Sequence, residues 1–295
     1  MHNLIRSNIS IADSLDEVGS GLMSPKKDFF DENRLRLSEL YADYNEKAAN
    51  NKLHQLKSEW AFETSDDSTT KDIKNNKRHL AYGLYESRRI FVNKHWERLT
   101  AKNGGKTLYC PICGLEVCDE MDHYVPRDHD QFPEYSAHLD NLIPLCHYCN
   151  HDKLNKFLDE NGERLFFNAY YDILTNRNIL VGEVSLSQEL PQITVIINPN
   201  LSETDIPDKY IRSTIEVLKL MDRFNEEAQK DLKREMVRMS IYRSVGRPWE
   251  VIKDEMIKVA IASEEDHDIV YPAVLKAIAN STYMEDWFNR ETNEL

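Results

Sequence analysis

The chain reads as an α+β protein, mainly helical, with a small irregular core between two helical regions. Three observations predict this. Stretches rich in helix formers, with apolar residues recurring at three, four and seven, occupy both ends. The centre, from residue 104, is instead broken by turns and by two Cys-x-x-Cys pairs. Directly after it come "NILVGEVSLS" and "QITVIINP", whose β-branched, alternating character marks strands. The expected regions are 1–103 (helical), 104–200 (core with the following strands) and 201–295 (helical).

Element by element, residues 1–63 read as a mobile start followed by helices in "DENRLRLSELYADYNEKAANNKLHQLKSEW". "ETSDDSTTKD" reads as a polar loop or linker. A single helix is expected from Leu80 to Leu99, with Leu84, Tyr85, Phe91, Val92, Trp96 and Leu99 on its apolar face. "GGKTLYCPICG" is a knuckle, "EMDHYVP" a short strand stopped by Pro126, and "CHYCNHDKLNKF" a short helix. "RLFFNAYYD" reads as a further strand. One long amphipathic helix is expected through Ile211, Ile215, Leu218, Phe224, Ala228, Leu232, Met236 and Met239. Another helix starts near Pro248, and the tail from Tyr271 is helical.

The bulk numbers set limits. A chain of 295 residues suffices for one large domain or two modest ones. At 41% hydrophobic and 30% charged residues, the balance is that of a soluble globular protein. No apolar run approaches a membrane span of roughly 18 to 20 residues. The start has no long apolar segment and carries acids early, so a cytoplasmic location is the default expectation. A formal net charge of −14 argues against a general polyanion binder.

The cysteines carry the strongest local signal. Four of five form the pairs Cys110–Cys113 and Cys146–Cys149, separated by 32 residues. In such a chain the pattern favours a metal over disulfides, and four thiolates suit tetrahedral Zn²⁺. The ion is expected to be structural. Cys118 reads as a small buried hydrophobe.

Between and just after the knuckles stand Asp122-His123, Asn141 in "LDNLIPLC", and Asn150 followed by Lys153. Together with "CPICG", "MDHYVPR" and "DNLIPLCHYCN", this order resembles the HNH endonuclease family with its ββα-metal core, over residues 108 to about 157. The resemblance implies roles. His123 would be the general base for phosphodiester hydrolysis, and Asn141 would brace the loop that orients it. Asp122 and Asn150 would hold one catalytic Mg²⁺ or Mn²⁺, since their oxygens are hard ligands. The family often has histidine at the last position. Here His151 adjoins Asn150, so two registers remain, with Asn150 preferred. The loop "PRDHDQFPEYSAHLD" replaces a shorter one and brings His129 and His138 nearby, read as surface loop residues.

Charge places the nucleic acid elsewhere. Residues 71–106 hold ten basic and three acidic residues, a local excess of seven on an acidic chain. That stretch, including Arg88 and Arg89, is expected to be either a backbone-tracking surface or a solvated helix face, with Arg127 and Lys153 as further candidate phosphate contacts. His95 and Trp96 within it read as core residues. The implied partner is DNA, RNA not being excluded, together with a protein partner or activator. The resemblance further suggests the effector of a bacterial defence or restriction system. The rival reading is a non-catalytic zinc-knuckle module that binds nucleic acid or protein.

Overall fold

The protein is described by a computed structural model covering residues 1–61, 77–87, 90–105, 107–174, 178–188, 190–263 and 267–290. It is mainly helical, with two two-stranded antiparallel sheets. The chain divides into two compact units, one of residues 3–112 and 116–173, the other of residues 174–295 with 1–2 and 113–115. The boundaries expected at 103 and 200 fall inside these units.

In the first unit, helix α1 (Ile11–Ser20) is capped by Ser10, whose hydroxyl accepts from the Asp13 amide at 3.1 Å. It packs against α2 (Lys26–Ala49) and α3 (Phe91–Lys102). Phe30, Leu37, Tyr41, Tyr44, Phe91, Leu99 and Tyr135 form its fully buried centre. The single helix expected over 80–99 is interrupted. Residues 77–83 are helical, Leu84–Ser87 tighten into a 3-10 turn, and α3 starts only at Phe91. Strands β1 (Glu120–His123) and β2 (Leu142–Leu145) pair antiparallel with His123 opposite Leu142, and α4 (His147–Lys153) follows directly. Side chains two apart on a strand share a face, so Glu120 and Asp122 project together.

The strand expected in 164–172 is absent. Side-chain groups there capture the backbone: the Asn168 amide donates to Asp172 Oδ2 at 2.7 Å, and the Asp172 amide returns to the Asn168 carbonyl at 2.9 Å. Arg164 clamps the curl, its Nη2 lying 2.9 Å from Asp172 Oδ1 with both side chains buried.

In the second unit, β3 (Leu180–Ser187) and β4 (Leu190–Ile197) pair in register, Leu180 opposite Ile197. The expected long helix is two, α5 (Asp208–Val217) and α6 (Leu220–Ser244), because Lys219 adopts a left-handed φ of 50°. Helices α7 (Trp249–Ser263), α8 (Val270–Ala279) and α9 (Thr282–Asn289) complete it. β4 packs on α6 and β3 on α8. Gly182 permits the second contact: a Cβ there would lie 2.9 Å from the Ala277 Cβ and 3.1 Å from the Ala273 carbonyl. No described helix is long and apolar enough to cross a membrane.

Candidate functional site

The first knuckle is a tight turn. The Cys110 amide donates to the Glu116 carbonyl at 2.8 Å and the Cys118 amide to that of Leu108 at 2.7 Å. Gly114 carries the turn at a φ of 72°, a conformation that favours glycine. The second knuckle is a helix start. Cys146 caps α4, and its carbonyl accepts from the Asn150 amide at 3.0 Å. All four thiol sulfurs lie within 4.8 Å of one another, and all four residues are buried. Zn–S bonds of about 2.3 Å require tetrahedral ligand sulfurs a little under 4 Å apart, so small adjustments close such a shell. The set suits structural zinc. Cys118, also buried, is not among the four.

Lys153, Asp122 and His123 meet where α4 crosses β1. His123 is buried, and its Nε2 lies 2.8 Å from the Ser136 carbonyl. A carbonyl can only accept, so Nε2 carries the proton and the neutral ring keeps a lone pair on Nδ1. Burial drives the His123 pKa down to about 3; the Ser136 bond offsets this in part, and the charges of Arg127 and Lys153 add to it. The Tyr85 ring packs edge-on against the imidazole, centroids 4.5 Å apart, and its hydroxyl donates to the Met121 carbonyl at 3.2 Å.

Asn141 is fully buried, and both ends of its amide are bonded. Oδ1 accepts from the Val125 amide at 2.7 Å and the Tyr44 hydroxyl at 3.0 Å; Nδ2 donates to the carbonyls of Val125 at 3.0 Å and Tyr135 at 3.2 Å. It thereby ties down both ends of the loop whose Ser136 carbonyl holds the imidazole.

Asp122 and Asn150 are both on this face, but neither is hydrogen-bonded to the other. Lys153 Nζ lies 2.8 Å from Asp122 Oδ2 and donates to the His123 carbonyl at 2.7 Å, with its side chain 5% exposed. Expected at a phosphate, Lys153 is instead a buried cation, because the last turn of α4 aims it inward across β1. The Asn150 amide nitrogen donates to Glu120, whose other oxygen accepts from His147 Nδ1 at 2.9 Å. The Asn150 and His147 bonds keep the Glu120 carboxyl below its ordinary pKa. Glu120 was not expected from the sequence; its position two residues before Asp122 is the signal that could have found it.

Arg127 is half-buried, its guanidinium 4.2 Å above the Tyr82 ring and 4.6 Å from that of Tyr85. Arg88 and Arg89, with residues 71–76 and 106 of the basic stretch, lie outside the described residues. Within α3, Arg98 is held by both oxygens of Glu17 at 2.9 and 2.8 Å, and Lys94 lies 3.8 Å from the same carboxylate. The described part of the expected phosphate-tracking surface is therefore partly neutralised. His138, expected in a surface loop, is buried between Tyr41 and Tyr44, its Nε2 donating to Asn45 Oδ1 at 3.0 Å. His95 is a core residue as read, bonded to the Leu142 carbonyl at 3.3 Å.

Comparison with protein-family models, curated proteins and solved structures returned no match to this chain.

Proposed function

We propose that the protein is a metal-dependent endonuclease of the HNH type acting on DNA. The observation that carries this reading is the imidazole of His123, fixed through Nε2–H to a backbone carbonyl with Nδ1 left as a base, on a strand beside a buried four-cysteine cluster. Hydrolysis of a phosphodiester needs a base for the attacking water and charge relief at the phosphate. His123 Nδ1 takes the water proton. A phosphate anion beside the ring raises its basicity from the low value that burial imposes. Arg127, stacked on its tyrosines, offers the phosphate a cation whose position is already fixed. Asn141 acts through the loop and touches no substrate.

Asp122 and Asn150 supply the hard oxygens that would hold Mg²⁺ or Mn²⁺. Their chemistry fits such an ion: Asp122 already carries a cation, the Lys153 ammonium, and Asn150 bonds through its nitrogen, leaving the amide oxygen as a ligand. The ion when bound would withdraw charge from the phosphate and favour deprotonation of water. The four cysteines hold a separate structural zinc. We further read the acidic chain as the effector of a bacterial defence or restriction system whose protein partner selects the target.

The rival reading, a non-catalytic zinc-knuckle binding module, draws on the Asp122–Lys153 pair, which leaves Asp122 neutralised without a divalent ion. Supercoiled plasmid incubated with Mg²⁺, Mn²⁺ or a chelator separates the two. The proposal expects metal-dependent nicking that falls on the order of 10²-fold or more in Asp122→Ala and Asn150→Ala proteins of normal zinc content. Metal-independent behaviour in every arm supports the rival.

A further inference from the structure

A groove of about 740 Å³ runs between α3 and β1. Tyr85, Asn93 and Trp96 line one wall, and Glu120, Met121 and Asn150 are among the residues of the other. Its volume falls in the range of small-ligand sites. The chemistry of its walls is selective. Trp96 offers aromatic surface and Met121 a polarizable thioether, both suited to a flat π-system. The Glu120 carboxylate repels a phosphate, so the groove is a poor track for the nucleic-acid backbone. A carboxylate has about four lone-pair sites; Asn150 and His147 use two, which leaves capacity to accept from an exocyclic amino group. The Asn93 amide both donates and accepts.

We propose that this groove receives one unstacked nucleobase of the substrate strand, with bases that carry an amino group favoured over thymine. The inference deepens the nuclease reading and rests on it for the identity of the substrate. A paired, stacked base cannot offer both its face and its edge to the groove, so the substrate is single-stranded DNA or a duplex from which a base is extruded. Tyr85, buried behind the groove wall, also makes the edge-on contact with His123, so a base seated on Trp96 brings the adjoining phosphate toward the imidazole. Trp96, which the sequence suggested as a core residue, is only half-buried and becomes the stacking platform.

The test is a binding scan with the full-length His123→Ala protein in Mg²⁺, which keeps the oligonucleotide intact. A fluorescein-labelled single strand is compared with its duplex, and with strands carrying one abasic site at each position in turn. The groove predicts tighter binding of the single strand, and one abasic position that costs roughly tenfold in Kd, the scale of one lost base–aromatic stack. Trp96→Ala should lose a similar factor and become insensitive to that position, whereas Trp96→Phe should restore most of the binding. Oligo-dA and oligo-dC should bind better than oligo-dT. A flat abasic scan, or Trp96→Ala of normal zinc content binding as its parent, overturns the proposal. Should Trp96→Ala not fold, the abasic scan and Asn93→Ala decide. Plasmid nicking by the wild type with a flat scan rejects the groove alone. Trp96-dependent binding without nicking rejects catalysis and keeps the groove as a base-binding site.

Discussion

The two units are built by different means. Of the sixteen buried polar or charged residues among those described, twelve belong to the unit of residues 3–112 and 116–173 and four to the other. The second unit is a hairpin covered by helices, its inward positions Pro191, Ile193 and Val195 alternating with exposed ones. Such a core follows from hydrophobic patterning and needs few specific bonds. The first unit buries His95, His123, His138, Asn141, Lys153 and the Arg164–Asp172 pair, and each must find a partner in one geometry. Its sheet has only four residues per strand, too little to stand alone, and Cys110 precedes it in sequence while Cys146 and Cys149 follow. There, polar burial and a buried four-cysteine cluster stand in place of periodic packing.

That contrast is sharpest when the thiolates are removed. Cys110→Ser, or a strong chelator, should release zinc and abolish amide-exchange protection across residues 108–153, because structural zinc binding free energy is folding free energy. Protection in β3 and β4 should survive. Loss of both together would show that the hairpin depends on the knuckles. Next in size, Asn141→Ala removes four hydrogen bonds and leaves buried groups unpaired, at a cost on the order of 3 kcal/mol read from denaturant unfolding. In the patterned unit the corresponding lesion is steric. Gly182→Ala forces a methyl against Ala277 and the Ala273 carbonyl, and should cost about 1–3 kcal/mol without altering zinc content.

The smallest effect is one of pH, and the buried histidines and Asp231 should respond with opposite sign. Burial holds the His95 pKa near 4 and those of His123 and His138 near 3, below the ordinary value of 6.5. As pH falls from 6.5 toward 4, the unfolded chain binds protons that these native rings refuse, so the three histidines withdraw stability from the first unit, while its Glu134 and Asp140 carboxyls, raised by burial, act the other way. Burial raises the Asp231 pKa to about 6, from 3.8. The native carboxyl therefore binds a proton between those values that the unfolded one releases. Its contribution is complete below 3.8 and lost as pH rises through 6. Amide exchange at pH 7 and pH 5, corrected for intrinsic rates, should show less loss of protection in the first unit of His95→Gln and less gain in α6 of Asp231→Asn. A pH dependence that neither substitution alters would reject the assignment.

Legibility in the sequence followed the same division. The β3–β4 hairpin and the short helix that starts at the second Cys-x-x-Cys pair were readable, because alternation and a Cys-x-x-Cys turn are local signals. The sequence missed the break at Lys219, since apolar spacing continues through a residue whose backbone turns left-handed. It also missed the curl at 164–172, where aromatic residues imitate a strand while Asn168 and Asp172 take its backbone bonds. In the candidate site, the four cysteines and Asp122-His123 were visible as residue types. The partner that fixes His123 was not, because a backbone carbonyl at Ser136 has no residue signature. Lys153 illustrates the same limit: its charge suggested phosphate, and only the crossing of α4 over β1 turns it inward to Asp122.

The proposed nuclease depends on His123 as its base, held in place by the zinc-bound fold. Its most direct test is the rate of plasmid nicking in Mg²⁺ or Mn²⁺ by wild-type and His123→Ala proteins matched in zinc content and melting temperature. The account predicts a loss of about 10²- to 10⁴-fold in the variant, the usual contribution of a general base. Equal rates from the two proteins, or no nicking by either, would contradict it.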